Sequence, residues 1–543
     1  MHKLFVLILL LNSTLSISQN KKFTSQDKIS GSITVERAWW DLLHYDIDVK
    51  VEPGKKFISG SNTIEYKVIK ASQTMQIDLK SPMQIIKITQ RGKNLTFKNK
   101  EGAYFVNLQS KQKIDDINKI TVYFRGSPVE SLNPPWDGGF VWKKDQNQND
   151  FSANANQSKG ASIWLPCKDH PYDEPDNGIN IKVTTPEHLV DVSNGKLISI
   201  KYNKDQTKTY HWKVSNPISS YAINISIADY VHYTENYSGA YGELDCNFYV
   251  LPYNLEKAKE QFKQVPKMLE AFEYWFGPYP FYKDGYKLIE VPYLGMEHQS
   301  AITYGNGYHN GYLKGDLSGT GWGLKFDFII IHESGHEWFA NSITTSDVAD
   351  MWVHESFATY SEVLYLDYHF GKKAGNEYVI GIRKNIINDK PIIGQYNVKD
   401  RGSNDMYYKG ANILHIIRQL IDNDNKFRDL LRGLNKEFYH QIVTSEQIEN
   451  YIIDQSGLKL HTFFDQYLRT KKIPVLEYKI KGSVIQYRYK KTIKDFHLPL
   501  KVYINNFEQW IEPSKDWQEI KVKYADPTFR VDRNFYIKIS PLK

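Results

Sequence analysis

Cysteine is almost missing from this chain: Cys167 and Cys246 are the only two in 543 residues. Two thiols cannot make a disulfide scaffold, nor complete a structural zinc site built on three or four sulfurs. Their separation in sequence leaves pairing open, with two buried thiols the favoured outcome. No block of one charge sign occurs either. The 69 basic and 62 acidic residues are dispersed, so a net charge of +7 describes a mixed solvated surface and gives no footprint for nucleic acid. Beyond residue 11 no apolar run approaches the length of a membrane-spanning helix. Internal repeats and low-complexity tracts are lacking too. A glycine-rich passage at 305–323 has no Gly-Lys-Ser/Thr ending, which excludes a phosphate loop and leaves a flexible connection.

What is present begins with a short basic start, Met1-His2-Lys3, an unbroken apolar run over 4–11, and Ser16-Ile17-Ser18. This is the pattern of a secretory leader over residues 1–18, cleaved near Ser18, with no cysteine following for a lipid anchor. The expectation is an exported protein, periplasmic or extracellular, without a transmembrane segment in its mature form. Apolar residues at 41% suffice for packed cores, and the length points to several domains.

Polar and apolar residues alternate in Thr63-Ile64-Glu65-Tyr66-Lys67-Val68, in 119–124 and in 180–183, predicting an N-terminal antiparallel β domain over 24–240. Within it, the loop 165–175 combines carboxylates with prolines, and rigid turn structure is favoured there over a cation loop. Helical spacing appears at 255–276, stopped by Gly277-Pro278, and a strand at 287–291. Further helices are predicted at 352–370, 405–421, 426–439, 445–455 and 461–470, making 241–472 a mixed α/β domain. Alternation returns at 476–480 and 535–539, predicting a small β-sandwich over 473–543. The fold class is multidomain α+β.

The chain is organised around His332-Glu333-Ser334-Gly335-His336. On a helix, imidazoles four residues apart leave one face and can converge on a single metal ion. Glu355, eighteen residues beyond His336, is the candidate third ligand from a second helix. Two imidazoles and a carboxylate make a three-ligand zinc site with one position left for water. Apolar residues 328–331 precede the motif, and buried polar groups on such a background are costly unless liganded or paired. Glu333, beside the first histidine, is placed to accept a proton from the attacking water.

With these residues placed, the chain resembles the gluzincin zinc aminopeptidases, the family of aminopeptidase N and leukotriene hydrolase. Three signatures carry the resemblance: the metal motif with its distant glutamate, Gly295-Met296-Glu297-His298, and Tyr407-Tyr408-Lys409-Gly410. It implies a thermolysin-like catalytic domain at 241–472, one zinc per chain, and peptide substrates with a free N-terminus. It also implies roles. His332, His336 and Glu355 would ligate zinc, Glu333 would be the general base, and Tyr407 would stabilise the oxyanion. Gly295, Met296 and Glu297 would bind substrate, with Glu297 taking the free amine. Gln157, aligned through Leu165-Pro166-Cys167, resembles a family glutamine that helps hold that amine.

The chain departs from the family at His298, which replaces an Asn, and at His354 and Ser356, which replace Asn and Gly beside the third ligand. The large helical domain that follows the small sandwich in many relatives is expected to be missing, which implies a more open cleft. Two other readings stand beside the aminopeptidase: a zinc endopeptidase, and a noncatalytic binding protein with a vestigial metal site.

Overall fold

A computed structural model describes residues 23–157, 159–523 and 525–542; the leader expected over 1–18 lies outside them. The alternation of the first third produces sheet. Trp40–Glu52 and Phe57–Val68 pair at the middle of an eight-stranded sheet. Asn62, Ile64, Tyr66 and Val68 are buried while Thr63, Glu65 and Lys67 between them are not, as a period of two requires. A four-stranded and a three-stranded sheet complete the unit. It is not wholly antiparallel, and here the expectation is corrected: Trp40–Glu52 runs parallel to Ile179–Pro186, with Tyr45 opposite Ile179. Parallel neighbours need a long crossover, and the chain between them supplies it by building the smaller sheets.

That crossover ends in the loop 165–175. Buried Lys168 pairs with Asp173 and donates to the Trp40 carbonyl at 2.6 Å. Asp169 accepts from the Ser162 hydroxyl at 2.6 Å and faces Lys399 at 3.3 Å. Internal cations and hydroxyls answer these carboxylates, so the loop is structural. Cys167 and Cys246 are free, buried thiols, and burial pushes the Cys246 thiol up to about 12.

The expected division at 240/241 falls in the turn of one hairpin, Val231–Gly239 with Gly242–Val250. This hairpin forms a five-stranded sheet with Tyr286–Glu290, Ile302–Tyr304 and Gly295–Met296. Successive side chains leave opposite faces. Phe248, Val250 and Leu288 enter the helical core, whereas Tyr249, Leu251 and Ile289 enter the N-terminal core. Every residue of Tyr286–Glu290 is consequently buried, as in a strand covered on both sides. A polar clamp closes the seam. The Asn194 amide donates to the carbonyls of Ala222 and Gln299 at 2.9 and 2.7 Å, and its oxygen accepts from the Asn224 N–H at 2.6 Å.

The helical unit follows the expected segments with two differences. Residues 255–276 divide into Leu255–Gln261 and Gln264–Phe276. Pro266 has no N–H to offer in a continuous helix and its ring would clash one turn back, so it sits in the first turn of a new helix. An unanticipated helix, Lys372–Gly381, starts after Gly371, whose φ of 88° ends Trp352–Phe370. The glycine-rich passage is tied down and does not hang free: the Asn306 amide donates to the carbonyls of His309 and Gly311 and to Asp327. After residue 473, sheets of four and three strands face each other. Leu476, Ile485 and Val502 continue the helical core, so this sandwich is packed against the helices. The strand expected at 535–539 is shifted to Lys538–Pro541.

Replacing Asn194 with Ala leaves two buried carbonyls and one N–H without their partner. The expected cost is at least about 2 kcal/mol, seen as a lower midpoint of thermal unfolding. An unchanged midpoint would show that this clamp does not hold the seam.

Candidate active site

Asp327 starts the motif helix, Phe328–Gly335, by accepting from the Ile329 N–H at 3.1 Å. Its carboxylate is itself fixed by donors from Gln261, Tyr304 and Asn306 at 2.7–2.9 Å. The helix ends at Gly335, yet His336 keeps helical angles as its C-cap, so the two imidazoles still share a face with centroids 5.0 Å apart. A Cβ at Gly335 would lie 2.5 Å from Ser361 Oγ. Glycine there lets the helix Trp352–Phe370 approach, and that approach delivers Glu355.

Glu355 Oε2 lies 3.7 Å from His332 Nε2 and 3.4 Å from His336 Nε2. One ligand atom from each of the three falls within 4.8 Å of the others, and all three side chains are buried. A metal fits this set on two grounds. Glu355 Oε2 is buried with no hydrogen-bond partner among the described residues, a costly state for a carboxylate oxygen. In addition, His332 Nδ1 donates to Glu362 at 2.8 Å and His336 Nδ1 to the Phe339 carbonyl at 3.0 Å, which leaves both Nε2 atoms as acceptors. Two nitrogens and one oxygen, buried and converging, suit zinc. Against the cost of burial, His336 and His332 hold the Glu355 carboxyl well below the usual range. Burial acts the other way on Glu297 and Glu333, raising both.

The remaining sequence candidates gather around this point. The Tyr407 hydroxyl donates to Glu355 Oε1 at 2.9 Å, and its ring lies over His332 at 6.1 Å. It is held there because Gly410, in the helix Tyr408–Ile421, permits contact with Ser356: an added Cβ would meet Ser356 Oγ at 1.9 Å. Buried Lys409 anchors the same turn on the Thr470 carbonyl at 3.2 Å. Gly295 and Met296 are both buried, Gly295 against Ile329 and Met296 in the N-terminal core, so they place the following Glu297. Glu297 accepts from the Tyr221 hydroxyl at 3.3 Å, and its carbonyl from the Asn341 amide at 3.0 Å. Gln157 and Tyr221 line one cavity of about 490 Å³, and Gln157 Oε1 is buried without a partner among the described residues.

The departures have plain structural roles. Burial lowers the His298 imidazole to about 3, so this ring stays neutral across physiological pH. His354, lowered to about 3 by the same cause, accepts from the Thr345 N–H at 3.0 Å. Ser356 donates to the Met406 carbonyl at 2.7 Å, tying the third-ligand helix to the turn before Tyr407.

Sequence reasoning missed Glu362, Tyr378 and Tyr221. Glu362 stands seven residues after Glu355, two helical turns along one face, and that spacing is the signal that could have found it. The Tyr378 hydroxyl donates to its second oxygen at 2.5 Å from the unanticipated helix. Tyr221 comes from the N-terminal unit and carries no local signal.

Comparison with known proteins places the chain in context. Residues 260–467 match the peptidase family M1 domain and residues 42–222 the peptidase M1 N-terminal domain. Probable aminopeptidase 2 of Sulfurisphaera tokodaii is 22% identical over 486 residues, covering 84% of this chain and 59% of that protein. Endoplasmic reticulum aminopeptidase 1 of Mus musculus is 24% identical over 301 residues, 53% of this chain and 32% of its own length. The chain thus spans well under two thirds of these curated relatives. The fold is that of the M1 zinc metallopeptidase from Deinococcus radiodurans, with a TM-score of 0.67 at 19% identity over 82% of this chain and 97% of that one. A mutant of the same enzyme, bound to a Tyr-Ser-Ala substrate, matches with the same figures.

Because Glu362 fixes the His332 ring, Glu362→Ala should weaken zinc binding about 10–100-fold in a chelator competition, with the fold retained. Unaltered zinc affinity would show that the contact does not orient the ligand.

Proposed function

Because the chain belongs to the M1 peptidase family, we propose that it is a zinc-dependent aminopeptidase that removes the first residue from peptides with a free N-terminus. The observation that carries this reading is the pairing of two buried features: the His332, His336 and Glu355 triad, and the Glu297 carboxylate facing Tyr221. The triad suits hydrolysis in general; the second carboxylate suits an exopeptidase. Zinc held by the triad would supply a Lewis acid and a water ionisable near neutral pH.

The chain's own residues divide the remaining work. Glu333 takes a proton from the attacking water and passes it to the leaving nitrogen. As the amide carbonyl is attacked, negative charge builds on its oxygen. The Tyr407 hydroxyl, bonded to Glu355 Oε1 at 2.9 Å in the free protein, turns its hydrogen bond to that oxygen. Glu297 binds the peptide ammonium, and the Tyr221 hydroxyl orients its carboxylate. Gln157 Oε1, buried and unpartnered, adds an acceptor for an ammonium N–H. A buried carboxylate gains most from a cation, and a free N-terminus offers one next to the first peptide bond. The Tyr-Ser-Ala substrate bound by the Deinococcus radiodurans relative supports a peptide here.

Leucyl-p-nitroanilide and leucyl peptides should be cleaved by the zinc-loaded protein, and N-acetylated peptides at least about 100-fold more slowly. Equal cleavage of blocked and free peptides would replace the aminopeptidase with an endopeptidase. Glu333→Gln and Tyr407→Phe should each retain zinc and lose about 10²–10⁴-fold in kcat. Full turnover in either variant would remove that residue from the mechanism.

A further inference from the structure

The cavity of about 490 Å³ is lined by Tyr221 and by His354, the residue before Glu355. It lies between the N-terminal unit and the segment 399–404, which leads into Tyr407. Tyr221 belongs both to this wall and to the Glu297 contact. Tyr221 thus joins the proposed amine site to the cavity.

The walls carry three cations, Lys390, Lys399 and Arg401, and three carboxylates, Asp169, Asp389 and Asp400, but not all of them are in ion pairs. Lys399 faces Asp169 at 3.3 Å, and Lys390 faces Asp400 at 3.8 Å. Asp389 accepts from the Ser403 hydroxyl, which donates from the opposite strand of the same loop. Arg401 alone among the lining cations has no carboxylate partner among the described residues. Its guanidinium donates to Asn404 Oδ1 at 2.9 Å, and the fork has further N–H groups to give. A planar guanidinium matches a carboxylate with two parallel hydrogen bonds, which the spent lysines cannot rival.

On the aminopeptidase reading, we infer that Arg401 is a specificity-determining residue that selects peptides whose first side chain ends in a carboxylate, glutamate or aspartate. Glutamine has the same shape without the charge, so the preference for glutamate over glutamine isolates the guanidinium's contribution.

The test uses the zinc-loaded full chain and two readouts. Glutamyl-p-nitroanilide should exceed glutaminyl-p-nitroanilide in kcat/KM by about tenfold or more, as charge-assisted hydrogen bonds allow. Calorimetry should show free L-glutamate binding more tightly than L-glutamine by a similar factor. In Arg401→Gln both ratios should fall to near one, and in Arg401→Lys part of each should return. Equal handling of glutamate and glutamine by the unaltered protein, or ratios that survive Arg401→Gln, would overturn the inference. So would an Arg401 effect confined to Ala-Ala and absent from its C-terminal amide, which would assign the guanidinium to the peptide's terminal carboxylate. The binding readout stands even where no anilide is cut, so a failure of the aminopeptidase reading is distinguishable from a failure of charge selection.

Discussion

The structure depends on a carboxylate placed where water cannot reach it. Glu355 stands between two imidazoles with one oxygen engaged by Tyr407 and the other unanswered by any described protein group. Burying an ionised group in this way is expensive, and the surrounding protein is arranged to sustain it. Glycines at 335 and 410 let two helices close on the one that carries it. Ser356 and Lys409 lock the approaching turn, and Glu362 with Phe339 fix the histidine rings. Each of these contacts is modest; together they leave a divalent cation as the natural counter-charge.

A second constraint comes from the five-stranded sheet. It carries Glu297 just after a two-residue strand, Gly295–Met296, and its inner strands are covered on both faces. The register between Met296 and Thr303 therefore sets where Glu297 stands relative to the triad. Residues from the N-terminal unit, Tyr221 and Gln157, complete the same pocket. The metal triad and the residues that meet Glu297 thus come from different units, joined by the shared sheet.

Much of this was legible in the chain. The metal ligands follow from spacing, because four residues on a helix fix a direction in space. The helix at Trp352–Phe370 and the alternating strands were visible because their period is local. What was not legible has a common cause. Tyr221 reaches Glu297 from 76 residues away, and nothing near Tyr221 announces the contact. The parallel pairing of Trp40–Glu52 with Ile179–Pro186 is likewise a property of topology, invisible to alternation alone. Glu362 lies between these cases, since its position on the ligand helix was readable but its partner was not. The break at Pro266 could have been anticipated, as proline is tolerated in a first turn and seldom further in.

The alternation of Phe248 and Tyr249 between two cores has a wider consequence. Where the sheet is covered on both sides, at Tyr286–Glu290 and the end of Gly242–Val250, it has no face left for solvent, so the N-terminal half is not a cassette that an engineer could exchange freely. Any replacement would have to reproduce a matching apolar relief strand by strand. A change of side-chain volume on one side of the sheet is felt by the packing on the other.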